Sequence, residues 1–202
     1  MNLPGLLTAA LDELLGRIRP VLAVVMDKRR GAGAGILVGN GLVLTNAHVA
    51  GRGRSLQVVL ADDKNYPAKL VASDPAVDLA LLQIPANGHS TAVLSEETPH
   101  PGEMVFAFGH PWGQRNVLTG GVLSAVTSLH GRQGVLSVLR ADVQLAPGNS
   151  GGPLLNAAGE VIGLNAMIFG GDQSVAIPVG VIREFLGTAL KSMPARVTEE
   201  VL

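Results

Sequence analysis

Gly148-Asn149-Ser150-Gly151-Gly152-Pro153 places one serine among three glycines. A serine hydroxyl is a weak nucleophile near neutral pH. It becomes a useful one beside a general base that a third group holds in one tautomer. The oxyanion formed by its attack on a carbonyl must also meet donors already aimed at it. Glycine lets two backbone N–H groups turn toward one point, because it reaches conformations closed to residues with a Cβ. The run therefore offers a nucleophile with a site for negative charge beside it. Alone, it would equally serve as a glycine-rich turn between strands.

The partners that such a serine needs lie earlier in the chain. His48 stands in Thr45-Asn46-Ala47-His48-Val49, and Asp78 stands directly before the apolar run Leu79-Ala80-Leu81-Leu82. In the Ser-His-Asp scheme, His48 would take the serine proton and Asp78 would orient the imidazole. Each residue has a plainer reading. His48 is one of five histidines, Asp78 could end a turn, and Asp74 competes with it. The order His48, Asp78, Ser150 is one of the known triad orders. The Ser150 run also lacks the strand-to-helix setting of a nucleophile elbow, whose acid and base would follow the serine.

Composition narrows the function classes. The 202 residues suffice for one large or two small domains, and only 15% are charged. Fifteen basic residues against 16 acidic ones leave no footprint for nucleic acid. Without cysteine there is no disulfide, thiolate metal site or cysteine nucleophile. The histidines are scattered and no His-Glu-x-x-His run occurs, so neither a metal nor a cofactor is expected. Residues 1–7 carry no lysine or arginine, and Asp12 and Glu13 interrupt the apolar stretch. That pattern does not read as a signal peptide and points to the cytoplasm, with export of a disulfide-free protein as the other reading. No apolar run reaches the ~18 residues of a membrane span.

The elements that must position these residues are mostly short strands. First comes an amphipathic helix over residues 1–19: Leu3, Leu6, Leu7, Ala10, Leu11, Leu14, Leu15 and Ile18 fall at helical spacing, and Pro20 should stop it. It would pack on its own domain, join subunits or lie on a membrane surface. Val21 to Met26 reads as a strand. Gly31 to Gly35 is followed by no Gly-Lys-Ser/Thr, which argues against a phosphate loop. Asn40-Gly41 marks a hairpin between Ile36–Val38 and Leu42–Thr45. Further strands are expected at Leu56–Leu60, Ala68–Ala72, from Leu79, at Met104–Phe108, Val117–Val126, Val135–Ala141, Leu154–Leu155, Glu160–Ile168 and Ser174–Ile177. A closing helix is expected over residues 179–192 and a tail over 193–202. Many short strands with regular turns indicate an all-β barrel or sandwich protein.

The three motifs together, with Gly120-Gly121-Val122-Leu123-Ser124, Gly159 to Asn165 and Ala176-Ile177-Pro178, resemble the trypsin-like serine proteases, specifically the HtrA/Deg branch. The resemblance spans about residues 21–185. It implies two perpendicular six-stranded antiparallel β-barrels: the first over about residues 20–85, a connection over 86–102, and the second over about 103–178. His48 and Asp78 would come from the first barrel and Ser150 from the second. The N–H groups of Gly148 and Ser150 would form the oxyanion hole, with residues 110–115 on a loop that orders it. Gln144 would form the base of the substrate pocket, with Leu145, Ile168 and Val175 around it. Gln144 is neutral, so the pocket favours small apolar side chains, unless Asp172 folds over its mouth. Family members often carry a following PDZ domain, whereas this chain ends soon after the closing helix. Asn149 stands where digestive relatives carry an aspartate that pairs with a newly cut N-terminus.

By this resemblance the chain is expected to be an endopeptidase acting on unfolded or flexible protein segments, in protein quality control, and to form a homo-oligomer, a trimer. The competing readings are a chaperone-like module that captures peptides, a pseudoprotease with little turnover, and an esterase.

Overall fold

The computed structural model describes residues 2–27, 31–53, 55–131, 134–166 and 174–193. Helix α1 (Leu3–Ile18) starts where the Asn2 side chain accepts the Gly5 N–H at 3.1 Å, with Pro4 in its first turn. It ends in a 3₁₀ turn containing Pro20. Only Leu14 and Ile18 of its leucine-rich face are buried, while Leu3, Leu6 and Leu7 are more than half exposed.

Six antiparallel strands then close the first barrel: β1 (Leu22–Asp27), β2 (Gly31–Gly39), β3 (Leu42–Thr45), β4 (Leu56–Val59), β5 (Asn65–Asp74) and β6 (Leu79–Gln83), in the order β1-β2-β3-β6-β5-β4. The glycine run at residues 31–35 is the first half of β2, paired with β1 from Asp27↔Gly31 to Ala23↔Gly35. Between β3 and β4 lies one short helical turn, α2 (Ala47–Ala50), which carries His48.

The second barrel repeats the design with β7 (Met104–Gly109), β8 (Val117–Gly131), β9 (Gly134–Ala141), β10 (Pro153–Leu155), β11 (Val161–Ala166) and β12 (Ser174–Pro178), in the order β10-β11-β12-β9-β8-β7. Strand β8 runs five residues past the expected end at Val126. Its pairing with β9 continues to Gly131↔Gly134, and side chains from Val126 to His130 alternate between exposed and partly covered. This is the period of a two-stranded ribbon; its polar residues gave no apolar-run signal. The chain is thus mostly β, with two closed barrels and helices at either end, as the sequence indicated.

Strand alternation also joins the barrels. On β7, Val105 and Ala107 point into the core of the second barrel. Phe106 and Phe108, on the other face, pack with Leu22, Val25 and Ile36 of the first barrel in one continuous cluster. The connecting segment is tied down as it crosses. Ala92 donates its N–H to Leu37 of β2 at 2.7 Å, and Ser95 donates to Val161 of β11 at 2.9 Å. Helix α3 (Val179–Lys191) buries Val179, Ile182 and Ala189, and its Arg183 donates to the Ser95 carbonyl at 2.7 Å.

Candidate active site

Asp78 occupies the last position before β6, in the left-handed region with φ 56°. A non-glycine residue in that region needs support from its surroundings. Its backbone carbonyl accepts the Ala47 N–H at 3.1 Å and Asn46 Nδ2 at 3.0 Å. Asn46 is fully buried and precedes the α2 turn, so it couples the Asp78 turn to the segment that carries His48. The carboxylate completes this link. Oδ1 accepts the His48 backbone N–H at 2.9 Å, and Oδ2 lies 2.8 Å from His48 Nδ1. Asp78 is 5% exposed. An ionised carboxylate only accepts, so Nδ1 is the donating nitrogen, and in the neutral ring Nε2 keeps its lone pair. That state suits a base working through Nε2. Asp74, the competing carboxylate, instead caps its own turn by accepting the Ala76 N–H at 2.9 Å.

On the second barrel, Asn149 donates its N–H to the Ala146 carbonyl at 3.0 Å, closing a turn with Pro147 and Gly148 at its centre. Gly148 has φ 108°, a conformation that turns of this kind reserve for glycine at their third position. Among the described residues, neither the Gly148 nor the Ser150 N–H has an internal partner. The turn is pressed onto the first barrel just beyond the serine. Ala34 donates its N–H to the Ser150 carbonyl at 2.8 Å. A Cβ at Gly151 would come 2.1 Å from the Ala34 carbonyl oxygen, so no larger residue fits there. Asn165 clasps the same segment: its N–H donates to Gly152, its carbonyl accepts from Gly151, and its Nδ2 donates to Pro153 at 2.9 Å.

The two halves meet at an open cleft of about 320 Å³, lined by Gly31, Ala32, His48, Val49, Pro147, Gly148 and Ser150. A larger hollow of about 430 Å³ lies between α3 and β5, beside Asp74, Val77 and Phe185, away from these groups. The smaller cleft is therefore the candidate site. Its groups are a carboxylate-oriented imidazole, a serine and two unpaired N–H donors, the components of acyl transfer.

The structure thus brings His48, Gly148 and Ser150 to one cleft, with Asp78 behind His48. Of the expected pocket residues, Gln144 is exposed and its carbonyl accepts from Thr119 Oγ1 at 3.0 Å. Leu145 packs against the core of the second barrel, and Val175 is buried in β12. None of the three lines this cleft. Ile168 and Asp172 lie outside the described residues. Asn46 and Asn165 stood in the motifs as neighbours without a role, and the structure gives both of them buried hydrogen bonds. His110 was expected only as part of a loop. The residue is 5% exposed and its ring bonds at both nitrogens, with Nε2 3.2 Å from the Ala23 carbonyl and the Asn116 N–H donating to Nδ1 at 3.3 Å.

Comparison with known proteins agrees with this architecture. The chain is 38% identical over 162 residues to the "Probable periplasmic serine endoprotease DegP-like" of Halomonas elongata, covering 77% of this chain and 34% of that protein. It is equally identical over 162 residues to "Serine protease HTRA1" of Xenopus tropicalis, covering 77% of this chain and 35% of that one. The chain therefore spans about a third of the length of these curated relatives. A crystal structure of a mutant of Rv3671c from M. tuberculosis H37Rv, in an inactive form, superimposes with a TM-score of 0.82 over 93% of this chain and 95% of that one. At 23% identity this likeness speaks for the fold alone. The family model of the trypsin-like peptidase domain matches residues 33–164, from the second strand of the first barrel through β11, and the chain belongs to that family.

Proposed function

We propose that this chain is a serine endopeptidase that cuts unfolded or flexible protein segments through an acyl-enzyme on Ser150. One observation carries the reading. The buried Asp78 carboxylate holds the Nδ1 side of His48, on the same cleft as Ser150 and two unpaired backbone donors. His48 Nε2 takes the proton from Ser150 Oγ as that oxygen attacks the scissile carbonyl carbon. The N–H groups of Gly148 and Ser150 receive the resulting oxyanion. His48 then delivers its proton to the leaving amine, the C–N bond breaks, and the acyl group remains on Ser150 until water, activated by the same imidazole, releases it. Each donor aimed at the oxyanion is worth about 10²–10³ in turnover.

The relatives named as serine proteases support this reading, as does the openness of the cleft, which suits an extended chain. A homo-oligomer is part of the proposal, a trimer by the family likeness. The exposed Leu3, Leu6 and Leu7 of α1 support it, and light scattering on the purified chain measures it. No helix among the described residues is long and apolar enough to cross a membrane. The cytoplasm remains our proposed compartment, against the periplasm named for the Halomonas relative. A cysteine-free chain folds alike in both, so fractionation of the native host decides.

The test is degradation of fluorescein-labelled casein by wild type and Ser150→Ala. Fragments from wild type alone, with equal far-UV spectra for the two proteins, support the proposal. Equal degradation by both would assign the chemistry elsewhere. Casein bound but left intact by wild type would favour peptide capture without turnover.

A further inference from the structure

The turn that carries Gly148 is held in place by a neighbouring loop. His110, in the segment between β7 and β8, donates its backbone N–H to the Gly148 carbonyl at 3.2 Å. Trp112, held at φ 55°, donates to the Pro147 carbonyl at 2.9 Å. The His110 carbonyl lies so close that a Cβ at Gly148 would come within 2.2 Å of its oxygen. This loop is itself fastened to the first barrel at two points. The His110 ring reaches the Ala23 carbonyl of β1, and Arg115 pairs with Asp63 in the turn between β4 and β5.

The ring contacts admit one state. The Ala23 carbonyl only accepts, so Nε2 carries the proton. The Asn116 N–H only donates, so Nδ1 must present its lone pair. The imidazole joins the first barrel at one nitrogen and its own loop at the other, while its backbone holds Gly148. We propose that His110, locked as the Nε2–H tautomer between the barrels, is the positioning residue that aims the Pro147–Gly148 turn at the reacting carbonyl. The proposal rests on the reading of Gly148 and Ser150 given above.

A second ring proton would set Nδ1–H against the Asn116 N–H. Burial opposes that proton first. Among the described residues, Arg115 is the charged group acting on the ring, and it opposes the proton too. The Ala23 carbonyl pulls the other way more strongly than Arg115 opposes, but burial outweighs it and the group is pushed down to about 4. The tautomer is therefore kept throughout the neutral range.

Two variants separate positioning from bulk. His110→Gln keeps a donor able to reach Ala23, whereas His110→Phe fills the space and removes both ring bonds. Kinetics on a quenched peptide spanning a mapped casein cut should show kcat for His110→Phe reduced 10- to 100-fold with KM within twofold. His110→Gln should recover to within threefold of wild type. In ¹⁵N spectra, the Gly148 amide should move in His110→Phe and stay in place in His110→Gln. The wild-type His110 ring should read as the Nε2–H tautomer from pH 5.5 to 8. The proposal is overturned by an unchanged kcat in His110→Phe, by equal losses in both variants, or by a ring that is Nδ1–H or protonated at pH 6.5. The spectra need neither substrate nor activity, and the wild-type ring tautomer can be read even if His110→Phe does not fold. An inactive wild type with the expected ring and amide signals would sink the peptidase reading and leave the clamp intact.

Discussion

Both oxygens of the Asp78 carboxylate engage a single residue, His48: one takes its backbone N–H at 2.9 Å and the other lies 2.8 Å from its ring Nδ1. The same group therefore fixes where His48 sits in the chain and which of its nitrogens carries the proton. A buried carboxylate with two such bonds is oriented by its surroundings and cannot swing away.

Asp78→Asn tests that relationship. The amide still offers one oxygen to the His48 N–H but presents NH₂ to Nδ1, which drives the ring to the wrong tautomer. Turnover should fall on the order of 10⁴, the loss that the wrong histidine tautomer causes in a Ser-His-Asp triad. Asp74→Asn keeps its turn, because an amide oxygen accepts the Ala76 N–H equally well. Its effect should stay within about threefold, the range of ordinary surface changes. Equal losses in kcat/KM at the two positions would contradict the assignment.

Asn46 supports the Asp78 turn from a fully buried position. Asn46→Ala removes one hydrogen bond and should cost about 1–2 kcal/mol in urea unfolding. Asn46→Asp, though closer in shape, sets an oxygen against the Asp78 carbonyl and should cost more than the alanine. An aspartate variant as stable as wild type would show that the amide is not the donor.

Acid stability should report on His110. Its pKa falls from about 6.5 unfolded to about 4 folded. The unfolded chain thus binds the proton more readily. The contribution is complete above pH 6.5 and is lost as pH falls toward 4, to a total of about 3 kcal/mol. Wild type should lose stability across that window, while His110→Gln should show a flatter profile. Parallel profiles would contradict a neutral buried ring.

The residue preferred before the cut should be apolar. Gln144, Leu145 and Val175 bring no carboxylate to the expected pocket, and an unpaired buried cation is costly. Casein products should end mainly in valine, alanine, leucine or methionine, with soft discrimination among them, since one methylene is worth about 1–3 kcal/mol. A majority of cuts after lysine or arginine would point to Asp172, and Asp172→Asn should then remove the preference.

Much of this architecture was legible in the sequence because its signals are local. Asn40-Gly41 turns where hairpin chemistry places it, Pro20 and Pro178 bracket helices, and the apolar runs became strands. The glycines at 31–35 were legible only as a negative, since nothing local says that they begin β2. His48, Asp78 and Ser150 could be proposed from motif context, but the groups that hold them in place could not. Asn46 meets Asp78 across 32 residues, and the His110 ring meets Ala23 across 87. A lone buried asparagine or histidine has no periodicity, so only the folded contacts reveal its partner.

The central claim, a serine activated at position 150, is tested most directly by a fluorophosphonate probe with the adduct mapped by mass spectrometry. The account predicts a single adduct on Ser150 in wild type, a much slower one in Asp78→Asn, and none in Ser150→Ala. An adduct on another residue, or an unlabelled wild type under conditions that label trypsin, would contradict it.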